Sequence, residues 1–423
     1  MVSSGEKPIL AADGTPLRKS LARSLRQQKI RALMLIAPLL IFIFVAFIMP
    51  IVSMLLRSVE NDIVAKTLPE TVIALQAWDA NSGQLPGEEV YAAFAADIKR
   101  AALEKVHTKV GLRLNYEKSG IASLFKKTAR KAKKWDMEND GPFKEKLIKV
   151  HKNWESVETW QTLKIHSSEY TSGYFLNAID MRKTVNGSDW QPEDRQILLV
   201  LFKRTLIMSL VITFSCIALG YPVAWLLANL PIRQANLLMI LVLLPFWTSL
   251  LVRTSAWKVM LQQQGVINDI LVYLGMVSND GRLILINNET GTIIAMTHIL
   301  LPFMILPMYS VMQTIPPSYL RAAKSLGATN WTAFWRVYFP QSVPGIGAGS
   351  ILVFILAIGY YITPEIVGGT KGVFISNRIA YHILESLNWG LAAALGTILL
   401  LAVLVLYWTY DKIVGIDNVK LGG

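Results

Sequence analysis

Six apolar stretches approach or exceed the roughly 20 residues needed to cross a bilayer. They run from about Ala32 to Leu56, Thr205 to Leu227, Ala235 to Leu251, Thr292 to Gln313, Pro344 to Ile362 and Leu391 to Tyr410. The third is the least regular, because Pro245, Arg253 and Lys258 interrupt it at and beyond its far end. The first, with Pro38 and Pro50 inside or near its ends, exceeds the roughly 7–15 apolar residues of a cleavable signal core, so it reads as a retained anchor. Residues 57–198 break the apolar pattern. Within them, Val90–Val106 and Ile121–Lys134 repeat apolar positions at helical spacing. The pattern predicts an all-α integral membrane protein with six transmembrane helices and one large, mainly helical insert.

Charge orients these spans. The chain carries a formal net charge of +13. Its basic N-terminal arm, residues 1–31, holds Lys7, Arg18, Lys19, Arg23, Arg26, Lys29 and Arg31 just ahead of the first span. Basic flanks stay in the cytoplasm. Six spans put both termini there, and Arg233, Arg321, Lys324, Arg336, Lys412 and Lys420 then all fall on the same side. The insert would lie on the opposite, periplasmic face; long translocated loops escape the charge rule. The expected division is the arm 1–31, the first span 32–56, the insert 57–198, a five-helix core 199–411 and a tail 412–423. In the arm, Leu17, Leu21 and Leu25 form one helical stripe among arginines, which suits either a helix on anionic lipid or a disordered basic tail. In the insert, Lys126, Lys127, Arg130, Lys131, Lys133 and Lys134 form a basic cluster, either a solvated helix face or a contact for an acidic partner. Asn186-Gly187-Ser188 matches a glycosylation sequon, read as chance.

Composition narrows the chemistry. Nothing beyond net charge speaks for nucleic acid. The one cysteine, Cys216, lies in an apolar run and cannot form an internal disulfide. The five histidines lack metal-ligand spacing. No GxxxxGK[ST] loop occurs, and Gly368-Gly369-Thr370-Lys371-Gly372 lacks its spacing. No nucleophile, metal or acid–base constellation stands out. The chain reads as non-catalytic, with no cofactor.

The stretch from Ile315 to Thr329 is the most informative. Pro316 and Pro317 end the preceding span, Ser318 is placed to cap a new helix, and Gly327 to end it. Tyr319, Ala323 and Leu326 share one face, with Arg321 and Lys324 elsewhere. A second helix, with Trp331, Phe334, Trp335 and Tyr338 at helical spacing, would close at Pro340. Physics alone gives an interfacial helix pair with an aromatic belt.

This loop, residues 316–341, also resembles the characteristic cytoplasmic loop of binding-protein-dependent ABC importer permeases. Their pattern is Glu-Ala-Ala, three residues, Gly, then a spacer ending in Pro. Arg321-Ala322-Ala323, Gly327, Phe334 and Pro340 match it, followed by Pro344-Gly345. Arg321 stands where the family often has an acid, so an ion pair made by that acid does not carry over. The resemblance continues through Leu244-Pro245-Phe246-Trp247 with Arg253 and Ala256-Trp257, then Gly265-Val266-Ile267-Asn268, Leu301–Pro307 and Thr363–Gly369. It is closest to the subgroup serving spermidine and putrescine importers, and it spans the second to sixth apolar stretches.

The resemblance implies a permease subunit in the bacterial inner membrane. Its implied partners are ABC ATPase subunits, a second permease subunit, a periplasmic substrate-binding protein and membrane lipids. The loop would be the coupling helix seated on the ATPase. Expected pathway residues are Trp247, Trp257, Tyr360 and Tyr361, whose rings suit a cation, and Glu365; each also fits a packing or interfacial role. Rival readings are a permease for an opine, an amino-acid derivative, a phosphonate or iron, a secondary transporter, or a membrane-anchored scaffold.

Overall fold

The computed structural model of this chain describes residues 17–414. Lys7 and the arm before Leu17, and Lys420 in the tail beyond Val414, lie outside the described residues. Among the described residues the fold is helical, with one two-stranded hairpin. Five helices are long and apolar enough to cross a membrane: Ser24–Leu56, Leu198–Asn229, Glu289–Met312, Asn330–Gly359 and Trp389–Lys412. A bent pair, Ile232–Trp247 and Leu250–Met260, makes a sixth if its arms count as one span.

Two spans differ from the sequence expectation, both at prolines. The third turns by 96° instead of running straight to Leu251. Pro245 has no N–H to continue the ladder; the chain tightens into a 3₁₀ turn at Leu244–Trp247. Ser249 then starts a new helix, its Oγ accepting the Val252 N–H at 3.2 Å. The fifth span begins at Asn330, far before Pro344, and Pro340 does not close a separate helix. A π-turn, Phe334–Tyr338, precedes Pro340, with the Phe339 N–H bonded to the Phe334 carbonyl. That shift of register lets the helix run through a residue without a donor. The first span repeats the device: its π-turn Phe44–Ile48 precedes Pro50. That span forms a unit of its own, with none of its membrane-length window buried.

From Arg57 on, the chain forms one compact unit. The insert packs short helices around an aromatic core. Helices Glu88–Leu103 and Ile121–Ala132 turn Tyr91, Phe94 and Phe125 inward against Trp154 and Trp160. Phe94 lies 4.4 Å from Trp154 and Tyr91 4.6 Å from Trp160, centroid to centroid. The polar tips are satisfied: the Tyr91 hydroxyl donates to the Trp154 carbonyl at 2.7 Å, and the Trp154 Nε1 to Thr128 Oγ1 at 2.9 Å. Lys126, Lys127, Arg130, Lys131, Lys133 and Lys134 are all exposed. Asn186 sits in the turn of the hairpin Met181–Thr184 with Gly187–Trp190, paired from Thr184↔Gly187 to Met181↔Trp190. Gly187 there has φ +131°, which favours glycine.

The insert is tied to the helices that follow it. Asp180 accepts the Leu198 and Leu199 N–H groups at 3.0 and 2.8 Å, capping Leu198–Asn229. The Tyr116 hydroxyl donates to the Ser386 carbonyl at 2.6 Å. The Tyr174 ring lies so close to Gly390 that a Cβ there would fall 2.3 Å from it. In the bundle, Glu289–Met312 is the most buried span. Gly220 packs on its Met304 and Ile305, Gly345 on Met308, and Gly349 on Met304. Small residues bring backbones together in this way in membranes. Cys216 is buried there, its Sγ 3.5 Å from the Thr297 carbonyl.

A buried charge cluster closes the insert. Arg113 pairs with Glu117 at 2.7 Å and donates to Asn61 Oδ1 at 2.8 Å. The Asn177 amide donates to Glu117 at 3.1 Å, and His166 Nε2 lies 3.8 Å from the same carboxylate. Burial drives His166 down to about 4, with Arg113 and Lys183 acting in the same direction against the pull of Glu117. The folded value lies below the unfolded one of about 6.5. Neutral His166 therefore contributes stability that is complete above about pH 6.5 and is lost as pH falls toward about 4. The melting temperature of the purified full chain is expected to drop less for His166→Gln than for wild type between about pH 7 and pH 4.5. Equal drops would show that folding does not shift the protonation of His166.

Candidate functional site

Two regions gather the residues singled out by sequence. The first is the loop between the fourth and fifth spans. Helix Pro317–Ser325 follows Pro316, and Pro317 occupies its first turn. Ser318 is not the cap: with φ already set for a helix, Pro317 starts the turn one residue early. The far end is a Schellman motif. The Ala328 N–H bonds to the Ala323 carbonyl at 3.1 Å and the Gly327 N–H to the Lys324 carbonyl at 3.0 Å. Gly327 has φ +89°, with nothing within 4 Å of a Cβ built on it. The glycine is required by the backbone, not by crowding.

This short helix splits its two alanines. Leu320 and Ala323 are half-buried against the body of the protein, whereas Ala322 is exposed. Tyr319 is 50% and Leu326 88% exposed, so Tyr319, Ala322 and Leu326 form an open face of apolar and small side chains. Arg321 is exposed and, among the described residues, makes no ion pair. Phe334 packs edge-on to Tyr221, centroids 6.2 Å apart, and stacks on Tyr338 at 5.9 Å. Tyr221, Pro222, Trp225, Asn330, Trp331 and Phe334 line an open apolar groove of about 420 Å³. Pro340 lies beyond, inside the continuous helix. Motif, cap and aromatic wall are thus joined to the fifth span without a break.

The second region is a cleft of about 450 Å³ beyond the end of that span. Tyr361 and Glu365 line it together. Helix Ile375–Leu384 supplies the facing wall with Asn377, Arg378 and Tyr381, and Glu385 follows. Buried Asn377 organises both walls. Its Oδ1 accepts the Phe374 N–H at 2.9 Å, and its Nδ2 donates to the Tyr361 carbonyl at 2.9 Å and to Glu365 at 2.5 Å. The Arg378 guanidinium lies 5.6 Å from the Tyr381 ring centroid. Sequence reading passed over this wall, although Asn377, Tyr381 and Glu385 recur at intervals of four, one face of a helix.

The other aromatic candidates do not join the cleft. Tyr360 is half-buried and turns its carbonyl to the Ser376 hydroxyl at 2.5 Å. Trp257 donates its Nε1–H to His298 Nδ1 at 3.0 Å. Trp247 stands 78% exposed at the bend of the third span. The arm carrying Trp257 is held to the helix carrying Glu365 by a buried bond between the Thr254 and Thr363 hydroxyls, 3.1 Å long. Among the described residues no group of three or more His, Cys, Asp or Glu is arranged to hold a metal.

Residues 203–414 match the family of binding-protein-dependent transport system inner membrane components, and the chain belongs to it. It is a permease subunit of an ABC importer, a multi-pass inner-membrane component. It is similar to the spermidine/putrescine transport system permease protein PotB of Escherichia coli strain K12, 36% identical over 209 residues, 49% of this chain and 75% of that protein. It is 37% identical over 212 residues to PotB of Haemophilus influenzae, 49% of this chain and 73% of that one. A chain in the crystal structure of a bacterial alginate ABC transporter with its pentasaccharide-bound periplasmic protein is 18% identical, over 52% of this chain and 80% of that one, at a TM-score of 0.44.

The cap geometry yields a specific expectation. Gly327→Asn, which tolerates a left-handed backbone, is expected to retain transport. Gly327→Val forces a β-branched residue into that region at a cost of about 1–2 kcal/mol, and is expected to lose most uptake while reaching the membrane in normal amount. Uptake assays beside membrane-fraction blots check this; equal uptake by the two variants would remove the cap from the mechanism.

Proposed function

We propose that this chain is the permease of an importer for a polyamine such as spermidine or putrescine, delivered by a periplasmic binding protein. The observation that carries the reading is the cleft pairing Glu365 and Glu385 with the rings of Tyr361 and Tyr381. Two carboxylates and the Tyr361 ring are chemistry for a flexible cation with ammonium groups at both ends, while Arg378, already over the Tyr381 ring, offsets one of the two charges. The names of its 36–37% identical relatives support the same substrate class.

In this reading a second permease subunit completes the translocation route and separate ATPase subunits supply the energy. The helix Pro317–Ser325 seats its open face, Tyr319, Ala322 and Leu326, on an ATPase. Motion of that ATPase moves the fourth and fifth spans through Ala323, Gly327 and Phe334. Arg321 replaces an acid often found at this position, so its counterpart on the ATPase is acidic or neutral. Both termini are cytoplasmic, and the insert and the Glu365 cleft are periplasmic. Glu365 receives the arriving ammonium, with Asn377 fixing its rotamer. Tyr361 borders that step, while Trp247, Trp257 and Tyr360 line later stages or pack against the partner permease.

Uptake of radiolabelled spermidine and putrescine by membrane vesicles containing the full transporter tests the reading. Glu365→Gln is expected to raise the half-saturating substrate concentration about fivefold, the scale of one exposed ion pair. Affinity capture of this chain should bring down an ATPase. Saturable polyamine uptake unaltered by the variant would remove Glu365 from the route. Absence of any polyamine uptake would reject the substrate class.

A further inference from the structure

Arg253 is an anomaly of the bundle. It lies one turn past the Ser249 cap on Leu250–Met260, the second arm of the bent span. Its Nε and Nη1 are sealed from solvent and have no hydrogen-bond partner among the described residues. Guanidinium groups do not give up their proton. The residue as a whole is half-buried, and partial burial without a counter-charge is costly, the more so in apolar surroundings. Most other polar side chains of the spans are bonded within this chain: the Thr254 hydroxyl meets Thr363, and Thr205, Thr213, Ser215 and Ser350 bond carbonyls of their own helices.

Among the described residues no Asp or Glu forms an ion pair with Arg253. The membrane-length helices contain no Asp or Glu except Glu289 and Asp411, each within two residues of a helix end. Glu289 lies 3.6 Å from Arg204. Glu365 is held by Asn377. A cationic substrate cannot serve, since it repels a guanidinium. The arm's flank is otherwise apolar and open, with Leu251, Val252 and Val259 57–61% exposed. Apolar exposure suits lipid and protein alike in a membrane; an arginine does not, because hydrocarbon supplies no acid.

We propose that Arg253 is an interface residue whose counter-ion is an Asp or Glu of a second permease chain. A second copy of this chain carries acids in its membrane-length helices only at helix ends, Glu289 and Asp411, so the partner is taken as a different chain. Rotation of Leu250–Met260 is fixed by the Thr254–Thr363 bond, which holds Arg253 ready before the partner arrives. The inference rests on the reading that two permease subunits pair.

The test uses opposite signs in two settings. In the purified full chain alone, Arg253→Met removes an unsatisfied charge at similar volume and is expected to raise the melting temperature by about 3 °C. In the assembled transporter the same change strands the partner's carboxylate, and co-purification of the second permease chain should fall about tenfold. Arg253→Lys should keep most of that association. Melting of the isolated chain left unchanged or lowered by Arg253→Met overturns the proposal. So does unaltered co-purification, or assembly retained with uptake lost, which would place Arg253 in the route. Stabilisation of the wild-type chain by phosphatidylglycerol nanodiscs that disappears in Arg253→Met would identify a lipid phosphate as the counter-ion and also overturn it. If the wild-type chain captures no second permease chain, the two-subunit reading falls with it; unaltered capture by the variant defeats this inference alone.

Discussion

The bundle is organised around the close contact between Glu289–Met312 and Asn330–Gly359. A Cβ at Gly349 would lie 2.7 Å from the Met304 sulfur, and one at Gly345 would lie 3.0 Å from the Met308 Cα. The two helices meet backbone to side chain with no slack. Packed interiors have discrete arrangements and transmit displacement instead of absorbing it. The helix Pro317–Ser325 hangs between these two spans, capped at Gly327 and backed by Phe334 on Tyr221. A push on its open face has few soft elements in which to dissipate. The π-turn Phe334–Tyr338 is the exception, a local loosening placed where the loop becomes a span.

The insert belongs to the same mechanical frame. It has its own aromatic core, yet it is stitched to the bundle at three points in sequence. Asp180 caps the second span, Tyr116 bonds to Ser386, and Tyr174 abuts Gly390 at the start of the sixth. Residues outside the family match, which begins at residue 203, thus fix one span end just before it, at Leu198, and one inside it, at Gly390. A domain that only hung from the membrane would not need such ties. The fixed ends bracket the helix Ile375–Leu384, which carries one wall of the Glu365 cleft.

Hydropathy alone located the membrane segments, because apolar runs of this length leave the chain few alternatives. Resemblance to a family loop pattern singled out Arg321-Ala322-Ala323, helix-capping rules placed Gly327, and the Schellman bonds explain why that position suits glycine. What escaped were the places where proline acts through its neighbours. Pro245 breaks its helix in a 3₁₀ turn, whereas Pro340 follows a π-turn and Pro222, Pro302, Pro307 and Pro344 sit inside continuous helices without one. Ser318 had the chemistry of a cap but lost the position to Pro317. Helix Ile375–Leu384 was missed because its ten residues follow a glycine-rich segment that reads as loop. Of the expected route residues, Tyr361 and Glu365 meet in one cleft; Trp247, Trp257 and Tyr360 do not, since aromatic character says nothing of which way a helix is rolled.

The polar groups of the bundle complete the picture. Buried hydroxyls here mostly bond a carbonyl one turn back on the same helix, a local solution that works in lipid before any partner arrives. The Thr254–Thr363 pair is different, because it locks two helices that come from distant parts of the sequence. It fixes the rotation of the bent arm relative to the segment bearing Glu365, so a shift of one changes the setting of the other. The bend at Pro245 is what allows that arm to reach Thr363, for a straight third span would carry residue 254 out along the original axis. The proline that breaks the span therefore links the arm bearing Arg253 to the segment bearing Glu365 through the Thr254–Thr363 bond.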